Sequence, residues 1–593
     1  LGTYSPTNDA SQRQPSYLHE TYLAAVKAWY AAAFAVARPH LGGCIVAVQV
    51  DNETNLYWGD RFGGVDYSDT ALAFYRDYLQ GKYGDIASLN ARYKTAHASF
   101  AAVDPPTSKP GAGAGEWPKN PWYADWYWAG QAQSGAYLAA LQAMLRDTVR
   151  ALGAGPPADQ RLARVLHGWG LGAHTERAAL AGHESGQSHL ALYMTNGNPY
   201  LEGMIGAYKA RVAPFNVNYR YVAEELAYVL DNAGASAVMY DAHFGPTLAE
   251  ALGPAPDMHL IHVNDGSGVP PLPGALRYEE LLAGASPEPL DLALSPDDLY
   301  ILYTGGTTGM PKGVLWRQND IYLNAMGGRL FGSTDQMTSL EQIVARAKLG
   351  GAGSLTCAPL MHGAAQWSAF SCILAGRPCV MSSVTSHFDP IDIWELAARE
   401  RVAMILIVGD AFARPLADAL EANPGRWDLS GLLTIGSGGA LFSAGVKQRL
   451  LAALPQLRIL DAGGSSETGS QMGQISTAGG SGTGRFAPNP GAVVVDATMT
   501  RILAPGDDEI GWLAQRGLVP LGYLDDAEKS ARTFPLIDGV RHSIPGDRAR
   551  WDADGTIELL GRDSVTINSG GEKIFAEEVE AAVGHHPAVY DVV

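Results

Sequence analysis

The sequence predicts a layered α/β architecture spread over more than one domain, and three observations carry that reading. At 593 residues the chain is too long for a single hydrophobic core. Short apolar runs alternate densely with helical patterns after about residue 160, as buried sheets covered by helices require. Glycine (69) and proline (35) are abundant enough to supply the many turns between such elements.

In chain order, helical patterns run from about Tyr17 to Val36, Ser68 to Gln80 and Ala132 to Ala151. Between the first two, residues 41–50 read as a turn followed by a buried strand. Gly153-Ala154-Gly155-Pro156-Pro157 breaks the pattern and marks the domain boundary. Beyond it, Leu190–Met194, Ala235–Tyr240, His259–His262, Leu299–Tyr303, Val402–Val408 and Leu432–Ile435 are strand-sized apolar runs. Helical segments such as Tyr221–Asn232 and Val446–Leu454 separate them. The character then shifts. Ile510–Leu513 and Arg548–Trp551 precede a hairpin-like Asp552-Ala553-Asp554-Gly555, and a helix is expected over Ala576–Val583. Three domains follow: 1–157, 158–562 and a small α+β unit over 563–593.

Composition narrows the function classes. The formal charge is -19, and no run of lysines and arginines interrupts it, so a nucleic-acid or anionic-membrane surface has no support. Four cysteines, Cys44, Cys357, Cys372 and Cys379, lack zinc-finger spacing and disulfide density. They read as buried thiols in a reducing, cytoplasmic setting. No secretory signal and no apolar stretch long enough to span a bilayer is found. The chain opens at Leu1 and ends just after strand-like residues, so both ends read as cuts through larger units.

Chemistry concentrates in Tyr303-Thr304-Gly305-Gly306-Thr307-Thr308-Gly309-Met310-Pro311-Lys312-Gly313. Eight of these eleven positions are Gly, Thr or Lys. Glycines let successive amide hydrogens converge on anionic oxygens, the threonine hydroxyls add donors and magnesium contacts, and Lys312 supplies a mobile positive charge. The pattern is not G-x-x-x-x-G-K-[ST], because Pro311 precedes Lys312 and Gly313 follows it, so a P-loop nucleoside triphosphatase is disfavoured.

Other positions are ambiguous alone. Glu467, after two serines in a glycine-rich turn, suits a hard-cation ligand or a solvated loop carboxylate. Asp547 beside Gly546 suits a ribose acceptor or a turn former. Arg562 reads equally as a surface ion-pair partner. His362, between Met361 and Ala364-Ala365-Gln366-Trp367, either closes an apolar pocket or is structural.

Together these segments resemble the AMP-forming acyl- and aryl-CoA synthetases of the adenylate-forming superfamily, over roughly residues 180–593. The loop 303–313 is similar to that family's signature loop. Pro359-Leu360-Met361-His362-Gly363 resembles its acyl-pocket motif and Gly438-Gly439-Ala440 its adenine-side loop. Gly464-Ser465-Ser466-Glu467-Thr468 resembles the motif whose hydroxyl approaches phosphate and whose glutamate holds magnesium. Gly546-Asp547 matches the ribose aspartate, Gly561-Arg562 the entrance to a mobile C-terminal domain, and Gly570-Gly571-Glu572-Lys573 the thioester-forming stretch.

The resemblance implies an adenylate-forming fold with a layered large domain and a truncated small one. It implies ATP, Mg2+ and coenzyme A as cofactors, and a carboxylic acid as substrate. Thr304 to Gly309, Lys312, Gly438 to Ala440, Ser466, Asp547 and Arg562 would bind nucleotide, with Thr304 and Glu467 at the metal. Lys312, His362, Glu467 and Thr304 would serve the reaction. Carboxylate attack on the α-phosphorus would expel pyrophosphate, and coenzyme A thiolate would then displace AMP.

The wording of 313–318 and of Val408-Gly409-Asp410-Ala411-Phe412-Ala413-Arg414-Pro415 resembles actinobacterial fatty-acyl and steroid side-chain ligases, so an apolar acid is expected. A homodimer stays open. Three departures stand out. Gly463 occupies the place of an adenine-stacking aromatic, the segment before Leu190 does not resemble the family's opening, and the chain stops before the family's adenylation lysine. With Ser564 at the hinge position and that lysine absent, poor adenylate formation is expected.

The first 150 residues read differently. Glu53, in Val50-Asp51-Asn52-Glu53, follows a buried strand, the placement of a general acid/base in (β/α)8 glycosidases, although an Asx/Glu turn without chemistry fits equally. With Phe74–Leu79 and Lys82–Asn90, residues 10–157 resemble part of a glycoside hydrolase family 35/42 β-galactosidase barrel. That implies Glu53 as acid/base, with no partner carboxylate found. Two alternatives to the ligase follow: a retaining hydrolase, or a non-catalytic nucleotide or acyl-CoA binder.

Overall fold

The computed structural model describes residues 69–104 and 158–562, apart from 255, 305–309, 330–332 and 481–483, together with 567–569, 572–574 and three single residues beyond. The chain divides into two compact units, Leu1–Pro156 and Pro157–Val593. Glu53, the helices over 17–36 and 132–151 and the strand in 41–50 lie outside the described residues, as does nearly all of 576–583.

In the first unit, the helix expected over 68–80 runs Asp69–Tyr83, and a second follows over Ile86–Tyr93. Asp85 caps the second helix by accepting from Ser88 N at 2.7 Å. Tyr75, Leu79, Leu89 and Val103 pack as a small buried core. Arg76 pins the following turn by donating to the Val103 carbonyl at 3.1 Å.

The second unit is built on two large sheets. The first contains β1 (His189–Tyr193), β2 (Ala213–Asn216), β3 (Ala235–Asp241), β4 (His259–Val263), β5 (Leu276–Arg277), β6 (Leu299–Tyr303) and β7 (Gly313–Arg317), with the short β17 (Gly522–Tyr523) at its edge. Its order is β17-β7-β6-β2-β1-β3-β4-β5. β1 to β6 pair in parallel, whereas β6 and β7 form an antiparallel pair joined by residues 304–312. The glycine-rich segment therefore lies between two antiparallel neighbours.

The second sheet starts from a parallel group: β8 (Ser354–Thr356), β9 (Cys379–Val380), β10 (Met404–Ile407), β11 (Thr434–Gly438) and β12 (Arg458–Ser465). It continues antiparallel through β13 (Gly469–Ser476), β14 (Arg485–Pro488), β15 (Ala492–Val495), β16 (Gly511–Arg516), β18 (Leu536–Ile537), β19 (Val540–Ser543), β20 (Asp547–Trp551) and β21 (Ile557–Arg562). The turn expected at 552–555 joins β20 to β21, with Gly555 at φ 85°, a left-handed conformation that costs glycine little. Beyond Arg562, β22 (Ile567–Ser569) and β23 (Glu572–Ile574) form an antiparallel pair.

β1 and β6 are buried at every residue, which is why both read as uninterrupted apolar runs. Trp316 on β7 and Trp394 on the helix Pro390–Arg399 are fully buried. Each contributes about 1.5–3 kcal/mol or more through burial. β12 extends well beyond the apolar Ile459 and Leu460. Antiparallel pairing with β13 carries it through Gly463 and Gly464 to Ser465, and cross-strand partnership overrides the poor strand preference of glycine.

Candidate active site

The loops that follow β6, β8, β10, β11 and β12 leave the carboxyl ends of their strands, where open α/β sheets bind ligands. Residues 305–309 lie outside the described residues, but the rim of their loop is fixed. Thr304 N donates to the Lys312 carbonyl at 3.0 Å and closes the hairpin. Below it, the buried Asn216 accepts from Tyr303 N at 2.7 Å and donates to the carbonyls of Tyr303 at 3.0 Å and Met361 at 2.6 Å. One side chain thus ties the base of the phosphate loop to the segment that carries His362.

Lys312 and Glu467, separate motifs in sequence, meet across Tyr523. The Lys312 ammonium lies over the Tyr523 ring, 5.8 Å from its centroid, and is also paired with the Asp526 carboxylate. The Tyr523 hydroxyl donates to Glu467 Oε1 at 2.8 Å. Burial, and then the Glu467 carboxylate, push the Tyr523 phenol well above its ordinary pKa, so it stays a donor. Burial raises the Asp526 carboxyl, but hydrogen bonds from Lys312 and the Lys529 N–H outweigh it and hold the group below the usual carboxylate range.

The backbone around Glu467 is held as firmly. Ser543 Oγ donates to the Glu467 carbonyl at 2.7 Å, and Trp316 Nε1 to the Ser466 carbonyl at 2.8 Å. Asn324 donates to the Thr468 carbonyl at 3.0 Å and accepts from Ser470 N at 2.8 Å. A bulge between Gly463 and Gly464 re-aims the turn. A Cβ on Gly464 would lie 2.1 Å from the Gly469 carbonyl oxygen, so only glycine fits there. A Cβ on Gly463 would lie 2.7 Å from Met472 Cε, so Met472 fills the space a side chain at 463 would need.

Gly438 pairs in register with Ala462, which brings the Gly438–Ala440 loop and Gly463 out at the same end of neighbouring strands. Asp547 and Arg562 are cross-strand partners on β20 and β21, with Arg562 Nε donating to Asp547 Oδ1 at 3.3 Å. His362 stands at the N-terminus of the helix Gly363–Leu374 with its surface exposed. Protein packed around the ring, and secondarily Arg220, hold its imidazole below the ordinary value, so the neutral form is favoured.

Magnesium needs hard oxygen ligands and is usually held by one or two carboxylates plus substrate phosphates. Among the described residues no group of three or more His, Cys, Asp or Glu could hold a metal alone. A single anchored carboxylate, Glu467, linked through Tyr523 to Lys312, suits such an ion. The structure thus gathers Thr304, Lys312, Ser466 and Glu467, and joins Asp547 to Arg562. Sequence reasoning missed Tyr523, Asp526 and Asn216, which carry no motif.

A medium-chain acyl-CoA ligase of Mycobacterium avium is 53% identical over 73% of this chain and 79% of its own length. A 3-oxocholest-4-en-26-oate–CoA ligase of Rhodococcus rhodochrous is 40% identical over 68% of this chain and 73% of its own. An anthranilate CoA ligase bound to anthranoyl-AMP shares the fold with TM-score 0.58 and 22% identity, covering 73% of this chain and 77% of that one. Residues 3–151 match the β-galactosidase family model of glycoside hydrolase family 42, so the first unit is similar to part of such a glycosidase. Among the described residues no helix is long and apolar enough to cross a membrane. Residues 178–524 match the family model for AMP-binding enzymes, and with those relatives this shows that the chain belongs to that family, as an AMP-forming acyl-CoA synthetase.

Proposed function

We propose that this chain activates a medium- or long-chain fatty acid or a steroid side-chain acid, in the cytoplasm, and that the residues gathered around Tyr523 serve the adenylation step. The single observation that carries the reading is the Lys312–Tyr523–Glu467 cluster beneath the closed rim of the 304–312 loop. The relatives' acids, medium-chain and 3-oxocholest-4-en-26-oic, are both largely apolar.

The acid's carboxylate oxygen attacks the α-phosphorus of ATP, a P–O bond forms and the bond to pyrophosphate breaks. Lys312 exchanges Asp526 for phosphate oxygens, and the loop amides hold the charge that develops there. Glu467 would hold magnesium, which when bound would supply Lewis-acid stabilisation of that charge. Tyr523 orients the carboxylate of Glu467 by donating to its Oε1. Asp547 accepts from the ribose hydroxyls and Arg562 orients it, while Gly438–Ala440 flanks the adenine. Neutral His362 borders the acyl group without adding charge to an apolar path. Coenzyme A thiolate then attacks the acyl carbon and AMP departs.

Pyrophosphate release with a panel of fatty and steroid acids tests the proposal. Release that depends on an apolar acid and is lost in Lys312→Ala supports it; no release with any acid overturns it. The family match over residues 3–151 supports a second reading for the first unit alone, a β-galactosidase-like activity using Glu53. Hydrolysis of an aryl galactoside that disappears in Glu53→Gln would support that reading, and no hydrolysis would remove it.

A further inference from the structure

The segment Val408–Pro415 has no part in the chemistry above, yet it packs against the Gly438–Ala440 loop at every point where a fastener could sit. Gly409 N donates to Ser437 Oγ at 2.9 Å, just before the loop. Asp410 N donates to the Leu441 carbonyl at 2.9 Å, just after it. The Asp410 carboxylate then divides its two oxygens. Oδ1 accepts from Ser443 N at 2.9 Å, and Oδ2 accepts from Arg414 Nη2 at 2.9 Å.

The close approach is built in. Gly409 has φ 54°, and a Cβ there would lie 2.4 Å from the Leu441 carbonyl oxygen and 2.9 Å from Ala440 Cβ. Only glycine lets the helix Gly409–Ala422 come this near. The loop's far side is fixed as well. Phe442 is buried at 1% exposure, and the fully buried Lys447 lies 5.3 Å from its ring centroid while donating to Asp461 at 2.8 Å. Asp461 sits on β12, two residues before Gly463.

We infer that Asp410 is a positioning residue for nucleotide binding: through Ser443 and Leu441 it holds the Gly438–Ala440 loop in the shape that receives the adenine of ATP. A rigid loop is formed before the ligand arrives, so ATP binding is spared the cost of ordering it. Arg414 orients Asp410 from the next helical turn and keeps it from rotating away from Ser443. The inference rests on the proposed reading of Gly438–Ala440 as adenine-side.

The test measures equilibrium affinity for ATP and, separately, for the preferred acid. Ser443 has φ -67°, which proline adopts without strain. Ser443→Pro deletes the N–H that Asp410 accepts, whereas Ser443→Ala keeps it; both lose the serine hydroxyl. Ser443→Pro and Asp410→Ala are each expected to weaken ATP binding about ten-fold, the loss typical of one charge-assisted hydrogen bond. Ser443→Ala is expected to stay within about two-fold, Asp410→Asn to fall between, and affinity for the acid to hold in all four. Equal ATP affinity in Ser443→Pro and Ser443→Ala would overturn the inference, as would parallel losses for ATP and acid. Gly439→Val separates the two readings. Gly439 has open space where a Cβ would stand but lies at φ 87°, so valine there both meets an incoming ligand and strains the loop that holds it. If Gly439→Val leaves ATP binding unchanged, the adenine-side reading fails by itself, whatever Asp410 does.

Discussion

Tyr523→Phe isolates one hydrogen bond at the centre of the proposed site. The substitution keeps the ring over which Lys312 lies at 5.8 Å and removes only the hydroxyl that donates to Glu467 Oε1 at 2.8 Å. Tyr523 and Glu467 are exposed at 3% and 9%, so water replaces the lost donor poorly. A hydrogen bond to a charged group contributes about 1.5–3 kcal/mol, which corresponds to a loss of roughly 10- to 150-fold if it is fully felt in the transition state. The assay is acid-dependent exchange of labelled pyrophosphate into ATP, run across a magnesium titration. The expected result is a lower rate together with a higher magnesium requirement, because an unanchored Glu467 holds the ion less well. A rate within about two-fold of the wild type at every magnesium concentration would refute the role given to Tyr523.

Three further outcomes follow from the same geometry. Glu467→Gln keeps the acceptor for Tyr523 but removes the charge, so exchange falls on the order of 100-fold while thermal unfolding moves little; unaltered exchange would exclude Glu467 from the metal. Gly464→Ala drives a Cβ to 2.1 Å from a carbonyl oxygen. It costs about 2 kcal/mol or more, lowering Tm by roughly 2 °C or more for a unit of this size, and a calorimetric Tm equal to the wild type would contradict the packing of the turn. His362 has a depressed pKa in the fold, so its neutral form adds stability that is present above the unfolded value near 6.5 and is lost as pH falls through the folded value. Between pH 7 and pH 5 the wild type should therefore lose more Tm than His362→Gln, and identical pH slopes would refute this.

Much of the architecture is legible in the chain because the determinants are local. Leu299–Tyr303 reads as a buried strand since every residue faces protein, and Asp552–Gly555 reads as a hairpin since Gly555 needs a positive φ. The glycine and threonine density of the loop announces anion binding through backbone geometry alone. The supporting residues are not legible. Tyr523 and Glu467 are 56 positions apart, Lys312 and Asp526 are 214 apart, and neither tyrosine nor aspartate stands in a recognisable pattern. Asn216 is similarly hidden: a lone asparagine ending a strand reads as a turn residue, yet here it joins the Tyr303 and Met361 segments.

Gly463 shows the reverse case, a residue whose departure from its family is visible in sequence but whose reason is not. Its nearest neighbour is the end of the Met472 side chain on the paired strand, which would have to shift to admit a side chain at 463. Gly409 is hidden in the same way, since only the approach of the Leu441 carbonyl reveals why no larger residue fits.

The central claim is that the acid is activated by direct attack of its carboxylate on the α-phosphorus of ATP. The most direct measurement uses a preferred apolar acid labelled with heavy oxygen in its carboxyl group, with ATP, magnesium and coenzyme A, followed by mass spectrometry of the nucleotide products. Heavy oxygen in the phosphate of AMP, with unlabelled pyrophosphate, is the result predicted. Label in orthophosphate with ADP formed, or AMP free of label, would contradict the account.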